Sequence, residues 1–569
     1  MSGRHAAAQA PVARRELTLR ALLTGLVIGA VLTPTNVYSG LKIGWSFNLS
    51  ITALLVAYAV WRPLARWCGL APWQLHESNI NQTAASSAAS IVSGGLVAPI
   101  PAWLLVSGAR IDLLPLTAWV FSVSFLGVWV AWFLRAPMLG APRLRFPVGV
   151  ATAETLRDTF EQGRVALLRF RAMLASLVVA ALARLVDAWW WTLPRFAPTP
   201  RLGELTFGLD PSLMMLGFGA IIGPRAGLSL AFGALLAWGG LAPWLLASGR
   251  VALPAAAPDG YQALVGWLVW PGVALMVSAS LAAIVPAPWR WRIAGWRRGP
   301  RAAGGSLPAW MGLLLAAVLT VTLEIALFDI DWLPALLAIP FAFVLAAVAA
   351  RVVGETGIAP IGAIGKVSQL SFAVIAPAQV ATNLMTANVA GGAAGQCADL
   401  LNDLKAGQLV GATPWRQVVA QCCGIAVGSV TGSMVFLAMI PAPAEQLLTP
   451  EWPAPAVAVW KSVAEALAGG LASVPAAARQ AALFAALAGL LLGLAERHPA
   501  WARWLPSGAT CGLAFVIPAS TSLTLCAGAL LAWALFARAP QLAERYVVAC
   551  AAGLIAGESL FGVFFAIAD

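Results

Sequence analysis

Charge is what this 569-residue sequence has least of: Asp, Glu, Lys and Arg together make up 10% of it, where soluble proteins carry about a quarter. Hydrophobic residues account for 60% and the mean hydropathy is +0.83, which excludes water as the main solvent of the folded chain. Histidine is nearly missing, with only His5, His76 and His498. The seven cysteines, at 68, 397, 422, 423, 511, 526 and 550, show no C-x-x-C spacing. No metal cage can therefore be assembled from sequence-local ligands, and the cysteines read as small apolar residues. Neither metal nor cofactor is expected. The net charge of +12 is not gathered into one basic patch; the arginines sit in short clusters between apolar runs, the pattern of membrane topology and not of a nucleic-acid partner. The apolar run that follows the polar residues 1–16 lacks a clear small-residue cleavage site and reads as a first span, not a removable signal.

What the sequence has in abundance is apolar runs of spanning length, about 20 residues. They recur near 18–39, 47–67, 80–106, 113–134, 166–192, 225–248 and 263–285, and again near 308–328, 332–350, 370–394, 416–440, 479–496, 519–537 and 544–567. Two shorter apolar segments, 211–223 and 504–517, each end at a proline, Pro224 and Pro518, and read as broken or re-entrant helices. The fold class is an all-α polytopic membrane protein with about 14–16 transmembrane segments, the broken ones included. Arg14, Arg15, Arg62, Arg66, Arg135, Arg143, Arg145 and the cluster Arg290, Arg292, Arg297, Arg298 and Arg301 belong on the cytoplasmic side. This puts both termini inside and divides the chain into a half at 1–287, a basic cytoplasmic linker at 288–307 and a half at 308–569. LGFGAIIGPRAGLSLAFGALLAW (216–238) lies beside CGLAFVIPASTSLTLCAGALLAW (511–533); both end in GALLAW and a proline interrupts each. Paired interrupted segments in two related halves are the best sequence pointer to a transport site.

Polar groups in hydrocarbon are costly unless they face protein or a water-filled cavity, so their positions carry the functional reading. In PTNVYSGLKIGWSFN (34–48), Lys42 beside Asn36 either meets a carboxylate or snorkels to the membrane surface. HESNINQTAASSAASIVSGG (76–95) concentrates Asn79, Asn81, Gln82 and Thr83, which line a cavity or pack helices closely; Glu77 beside His76 suits proton exchange near neutral pH. FPVGVATAETLRDTF (146–160) sets Glu154 one turn from Asp158, as a cytosolic amphipathic turn also would. GETGIAPIGAIGKVSQL (354–370) brackets a Gly/Pro-interrupted segment with Glu355 and Lys366. It imitates a nucleotide-binding loop, but Pro360 and Val367 replace a required glycine and a hydroxyl residue, so ATP hydrolysis has no support. NLMTANVAGGAAGQCADLLNDLKAGQLVGA (383–412) carries Asn383, Thr386 and Asn388, then Asp399 and Asp403 on one helix face, where burial would make a proton carrier and solvation a plain surface helix. Glu558 sits alone in the apolar GLIAGESLFG (553–562).

Taken in order, these segments, with GLVIGAVLTPTNVYSGLKIGWSF, GPRAGLSLAFGALLAW and LPSGATCGLAFVIPAS, resemble the oligopeptide transporter family, specifically prokaryotic members similar to its yellow-stripe-like branch. The resemblance is collinear over nearly the whole chain. It implies a proton-coupled symporter of small oligopeptides or peptide-like molecules in a bacterial inner membrane, working by alternating access, with a metal-chelate symporter and a channel as the other readings. It places substrate-binding groups at Asn36, Lys42, Asn79, Gln82, Thr83, Lys366, Asn383 and Asn388, and proton-coupling groups at Glu154, Glu355, Asp399 and Glu558, to which the residues themselves add Glu77. The partners implied are the solute, protons and the bilayer, with a homo-oligomer left open. Gly357 and Ala359 depart from the Asp and Asn expected in prokaryotic members, and Asn81 from a branched apolar residue; the lost polarity points to a different substrate or coupling ion. An enzyme is not expected: His76, Glu77 and Ser78 form the only local cluster that resembles a nucleophile with a base.

Overall fold

The computed structural model describes residues 15–44, 46, 48–141, 144–161, 163–191, 197, 199–208, 210–251, 260–284, 309–356, 359, 361–470, 474–496, 501 and 504–568. The linker expected at 288–307, and Gly357, lie outside them. The described residues form helices and no strands. The first are α1 (Leu19–Ile43), α2 (Ser50–Trp67), α3 (Leu75–Ala89), α4 (Pro99–Ser107), α5 (Leu113–Leu139), α6 (Pro147–Glu161) and α7 (Gly163–Trp189). There follow α8 (Pro200–Glu204), α9 (Leu213–Ala234), α10 (Ala242–Ala247), α11 (Gly260–Ile284), α12 (Ala309–Phe328), α13 (Trp332–Thr356) and α14 (Ile361–Ile375). The chain ends in α15 (Val380–Val410), α16 (Pro414–Met439), α17 (Pro443–Gln446), α18 (Pro455–Gly469), α19 (Ala476–Ala495), α20 (Gly508–Leu513), α21 (Ala519–Arg538) and α22 (Pro540–Ala568).

Among the described residues, 12 helical stretches are long and apolar enough to cross a membrane. α15, with 31 residues, spans about 46 Å at 1.5 Å per residue but is too polar to join that count. The protein is thus an all-α polytopic membrane protein. Two of the expected runs are divided. The run at 80–106 becomes α3, a 3-10 turn (Ser90–Gly94) and α4; the run at 370–394 is split between α14 and α15, with Ala378 at φ 63° in the corner. Hydropathy reports apolar length and is blind to such corners.

α15 is the axis of the bundle. It packs against α3, α5, α6, α13, α14, α16 and α18, and Thr382 to Ala398 is buried throughout. Small residues make that possible, because they let backbones approach closely where apolar burial gives no drive between helices in lipid. α3 is clamped between two glycine pairs of the same spacing, Gly25 and Gly29 on α1, Gly424 and Gly428 on α16; a Cβ on any of the four would run into the α3 backbone or an α3 side chain. Gly489 and Gly493 on α19 meet α11 in the same way, and Gly553 and Gly557 on α22 meet α7.

Both proline-terminated segments are broken helices. α9 breaks at Gly223 (φ 82°, ψ 170°), a conformation that only glycine adopts easily, immediately before Pro224. The chain between α20 and α21 leaves the α-helix at 514–518 and restarts after Pro518. Its carbonyls are satisfied by two buried aromatics: Trp238 Nε1 donates to Ala514 O at 3.1 Å and Ile517 O at 3.0 Å, and Tyr261 Oη donates to Val516 O at 2.7 Å. Irregular backbone at membrane depth is tolerated where protein supplies such partners. α9 and α21, the two segments laid side by side by sequence, pack on each other, Gly219 against Leu525 and Gly528 against Leu216.

Candidate functional site

One end of α15 is closed by ion pairs. Glu77, in the first turn of α3 and wholly buried, faces Arg20 of α1, with Nη2 2.5 Å from Oε2 and Nε 2.7 Å from Oε1. Thr18 Oγ1 donates to the same carboxylate at 2.6 Å and the Gln74 amide at 3.1 Å. Both oxygens are therefore occupied. Arg20 also lies against the Trp61 and Trp73 rings, at 5.3 and 5.4 Å. Beside it Glu16 accepts from Thr413 N at 3.0 Å and pairs with Arg416 of α16 at 3.3 Å, and His76 Nε2 meets Val410 O at 3.2 Å. The ends of α1, α3, α15 and α16 are thus tied together.

Beyond this closure a buried polar file runs between α3, α15 and α16. Thr83 Oγ1 accepts from Gln82 Nε2 at 3.0 Å and from Gln417 Nε2 at 3.2 Å, and Gln417 Nε2 also donates to Asp403 O at 2.8 Å. Gln82 Nε2 also reaches Asn79 Oδ1 at 3.4 Å. Several buried atoms in the file have no protein partner: Asn79 Nδ2, Gln82 Oε1, Asp403 Oδ2, Gln417 Oε1 and both amide atoms of Gln396 and Gln421. Buried polar groups are almost always hydrogen-bonded. Such a run of donors and acceptors keeps spare capacity for water or a polar solute.

Toward the other end, α14 and α18 place a cation. Lys366 is 3% exposed, donates to Gln369 Oε1 at 2.8 Å and lies 4.2 Å from the centre of the Trp460 ring; no carboxylate among the described residues comes within 4.0 Å of it. Asn383 Nδ2 donates to Gln369 O at 2.6 Å while its Oδ1 has no partner. Asn388 Nδ2 donates to Gly94 O at 3.1 Å, and Asn36 Nδ2 to Ala89 O at 2.9 Å; the first stitches α15 to the turn after α3, the second α1 to the end of α3.

The remaining sequence-derived groups lie apart from this file. Glu558 of α22 accepts from Ser212 Oγ at 2.6 Å and Met214 N at 2.8 Å, so it caps the first turn of the broken helix α9, where a negative charge is favoured. Lys42, at the end of α1, donates to Glu451 O at 2.5 Å and sits 4.6 Å from the Trp452 ring centre. Glu154 is exposed on α6; Glu355 is exposed on α13 and pairs with Arg351 at 3.3 Å. Gln396, Gln417 and Gln421 join this file without having been among the residues expected from sequence. The last two carry a signal, two glutamines one turn apart on a span otherwise rich in small and apolar residues.

A polytopic helical protein with a buried file of amides and carboxyls along its central helix, and the Lys366 ammonium beside it, has the make-up of a membrane transporter. The chain belongs to the OPT oligopeptide transporter protein family, whose pattern it matches over residues 16–294 and 297–568. It is 23% identical to a Saccharomyces cerevisiae protein named as a candidate oligopeptide transporter, over 97% of this chain and 96% of the relative. It is 24% identical to the metal-nicotianamine transporter YSL2 of Arabidopsis thaliana, over 97% of this chain and 93% of the relative. The iron-phytosiderophore transporter yellow stripe 1 of Zea mays is also 24% identical, over 96% of this chain and 89% of the relative.

Proposed function

We propose that the protein is a proton-driven symporter of small oligopeptides or peptide-like solutes, in a bacterial inner membrane with both termini in the cytoplasm. The observation that carries this reading is the buried file along α15 with its unspent hydrogen-bonding capacity. Amide donors and acceptors suit peptide groups, and the Lys366 ammonium suits a carboxylate. Asp399 and Asp403, one turn apart on α15, take the proton, because two carboxylates in so little water cannot both ionise without cost. Glu558 is the second carrier: when it is neutral, its hold on the first turn of α9 weakens, and that helix already has a joint at Gly223. Glu77 acts in the gate with Arg20 and not as a carrier. Lys42, Glu154 and Glu355 serve at the surfaces, outside the path. The halves at 1–287 and 308–569 move against each other through the α9 and α21 seam.

A metal-chelate substrate is the second reading, favoured by the names of the plant relatives. Such chelates also present carboxylates and amines, so the two readings share one site chemistry. The test is uptake into liposomes containing the purified protein, from pools of di- to hexapeptides and of iron or nickel chelates, with and without an inward proton gradient. Accumulation that saturates and requires the gradient is expected, and the pool that supplies it names the substrate class. Accumulation driven by sodium alone would replace the coupling ion; unsaturable flux without accumulation would mean a channel.

A further inference from the structure

Glu324 belongs to none of the groups above. It lies on α12, one turn before the helix ends at Phe328, is 0% exposed, and neither carboxyl oxygen has a partner. α12 is an outer helix: Trp310, Leu314, Val318 and Ile325 are exposed and apolar, as lipid requires. The opposite face is pressed inward, where Thr320 Oγ1 lies 3.4 Å from Ser122 O of α5. The α5 side of this seam holds another buried polar atom without a partner, Trp119 Nε1; the Trp119 ring packs on Phe328 with centroids 4.7 Å apart.

The elements packed against α12 are α5, α13 and α15, with Trp103 of α4 on Phe328 at 5.0 Å; Arg110 and Asp112 are exposed just before the first turn of α5, and the other charged residues lie at the far ends. Arg135 of α5 is 13 residues beyond Ser122, about 20 Å along the helix. Arg351 and Glu355 of α13, and Asp399, Asp403 and Lys405 of α15, stand at least 19 residues from the ends of those helices near Asp331, about 28 Å away at helical rise. Nearest in sequence are Asp329 and Asp331, exposed in the turn after α12. No cation among the described residues pairs with Glu324 within 4.0 Å. An ionised, unpaired carboxylate in this setting is costly, and a titratable group inside a span is by default functional. An alkali cation needs several oxygen ligands, whereas the carbonyls of this seam are engaged within their helices.

We propose that Glu324 is a further proton-binding site, separate from the α15 file and from Glu558, which holds a proton in the conformation described and releases it when α12 shifts against α5 and admits water. The use of that proton in coupling rests on the symporter reading; the titration itself needs no solute. Infrared difference spectra of the purified protein in lipid nanodiscs, taken from about pH 5 to about pH 9, test it through the deuterium-sensitive C=O stretch of a protonated carboxyl. Wild type should show one such band that loses at least half its intensity as pH rises and that is missing from Glu324→Gln, with the thermal unfolding midpoint of the variant showing that it folds. Glu324→Asp should shift the band's frequency and keep it, a second readout should the amide variant misfold. Identical spectra for wild type and Glu324→Gln, or a Glu324 band constant across the range, would overturn the proposal; so would loss of intensity on adding sodium at fixed pH. An intact titration in a protein that accumulates no solute would sink the symporter reading and leave this site standing.

Discussion

A buried side chain is defined by its partners, and partners distant in sequence are what composition cannot supply. Glu77 beside His76 reads as a proton exchanger until Arg20, 57 residues away, is found on its carboxylate at 2.5 Å. Removing one member of a buried pair strands the other charge, so Arg20→Met should destabilise the protein by about 3 kcal/mol. A double change with Glu77→Met should recover most of that loss, and reversible unfolding in mixed micelles would measure both. Equal losses in the single and double variants would mean that the pair is not what holds that end together. The burial of Asn79, Gln82, Thr83, Lys366 and Asn383 is legible from polarity inside apolar sequence. Glu324 was not picked out, although it carries the same signal as Glu558, a lone acid within a span.

At the scale of elements, the two breaks were readable because proline and glycine enforce them locally, and Pro224 and Pro518 mark them within a residue or so. α15 was harder. A helix with polar residues on every face reads as solvated, and Asp399 with Asp403 fits a cytoplasmic surface equally well; only the ring of helices around α15 reveals burial. The glycine seams carry the packing. Gly428→Leu would drive a side chain into the Ala88 backbone of α3, an overpacking expected to cost about 1–3 kcal/mol or more and to lower the yield of monodisperse protein. A normal yield and unfolding midpoint would show that the α3 and α16 contact yields easily. Trp238→Phe keeps the ring's bulk but removes the donor to Ala514 and Ile517. It should cost about 1–3 kcal/mol, read in the same unfolding assay.

The whole molecule is a bundle closed at one end by Glu16–Arg416 and Arg20–Glu77, with a polar file behind the closure and two broken segments, at Gly223 and before Pro518, whose helices α9 and α21 pack on each other. That scheme separates carrying from coupling. The most direct measurement uses the Asp403→Asn variant in liposomes with a solute identified from the pools, comparing exchange across a membrane without a gradient with accumulation driven by protons. Exchange should continue while proton-driven accumulation falls at least about tenfold, the equivalent of about 1.4 kcal/mol of lost driving free energy. Wild-type accumulation in the variant would contradict the claim that the carboxyls of α15 carry the coupling proton.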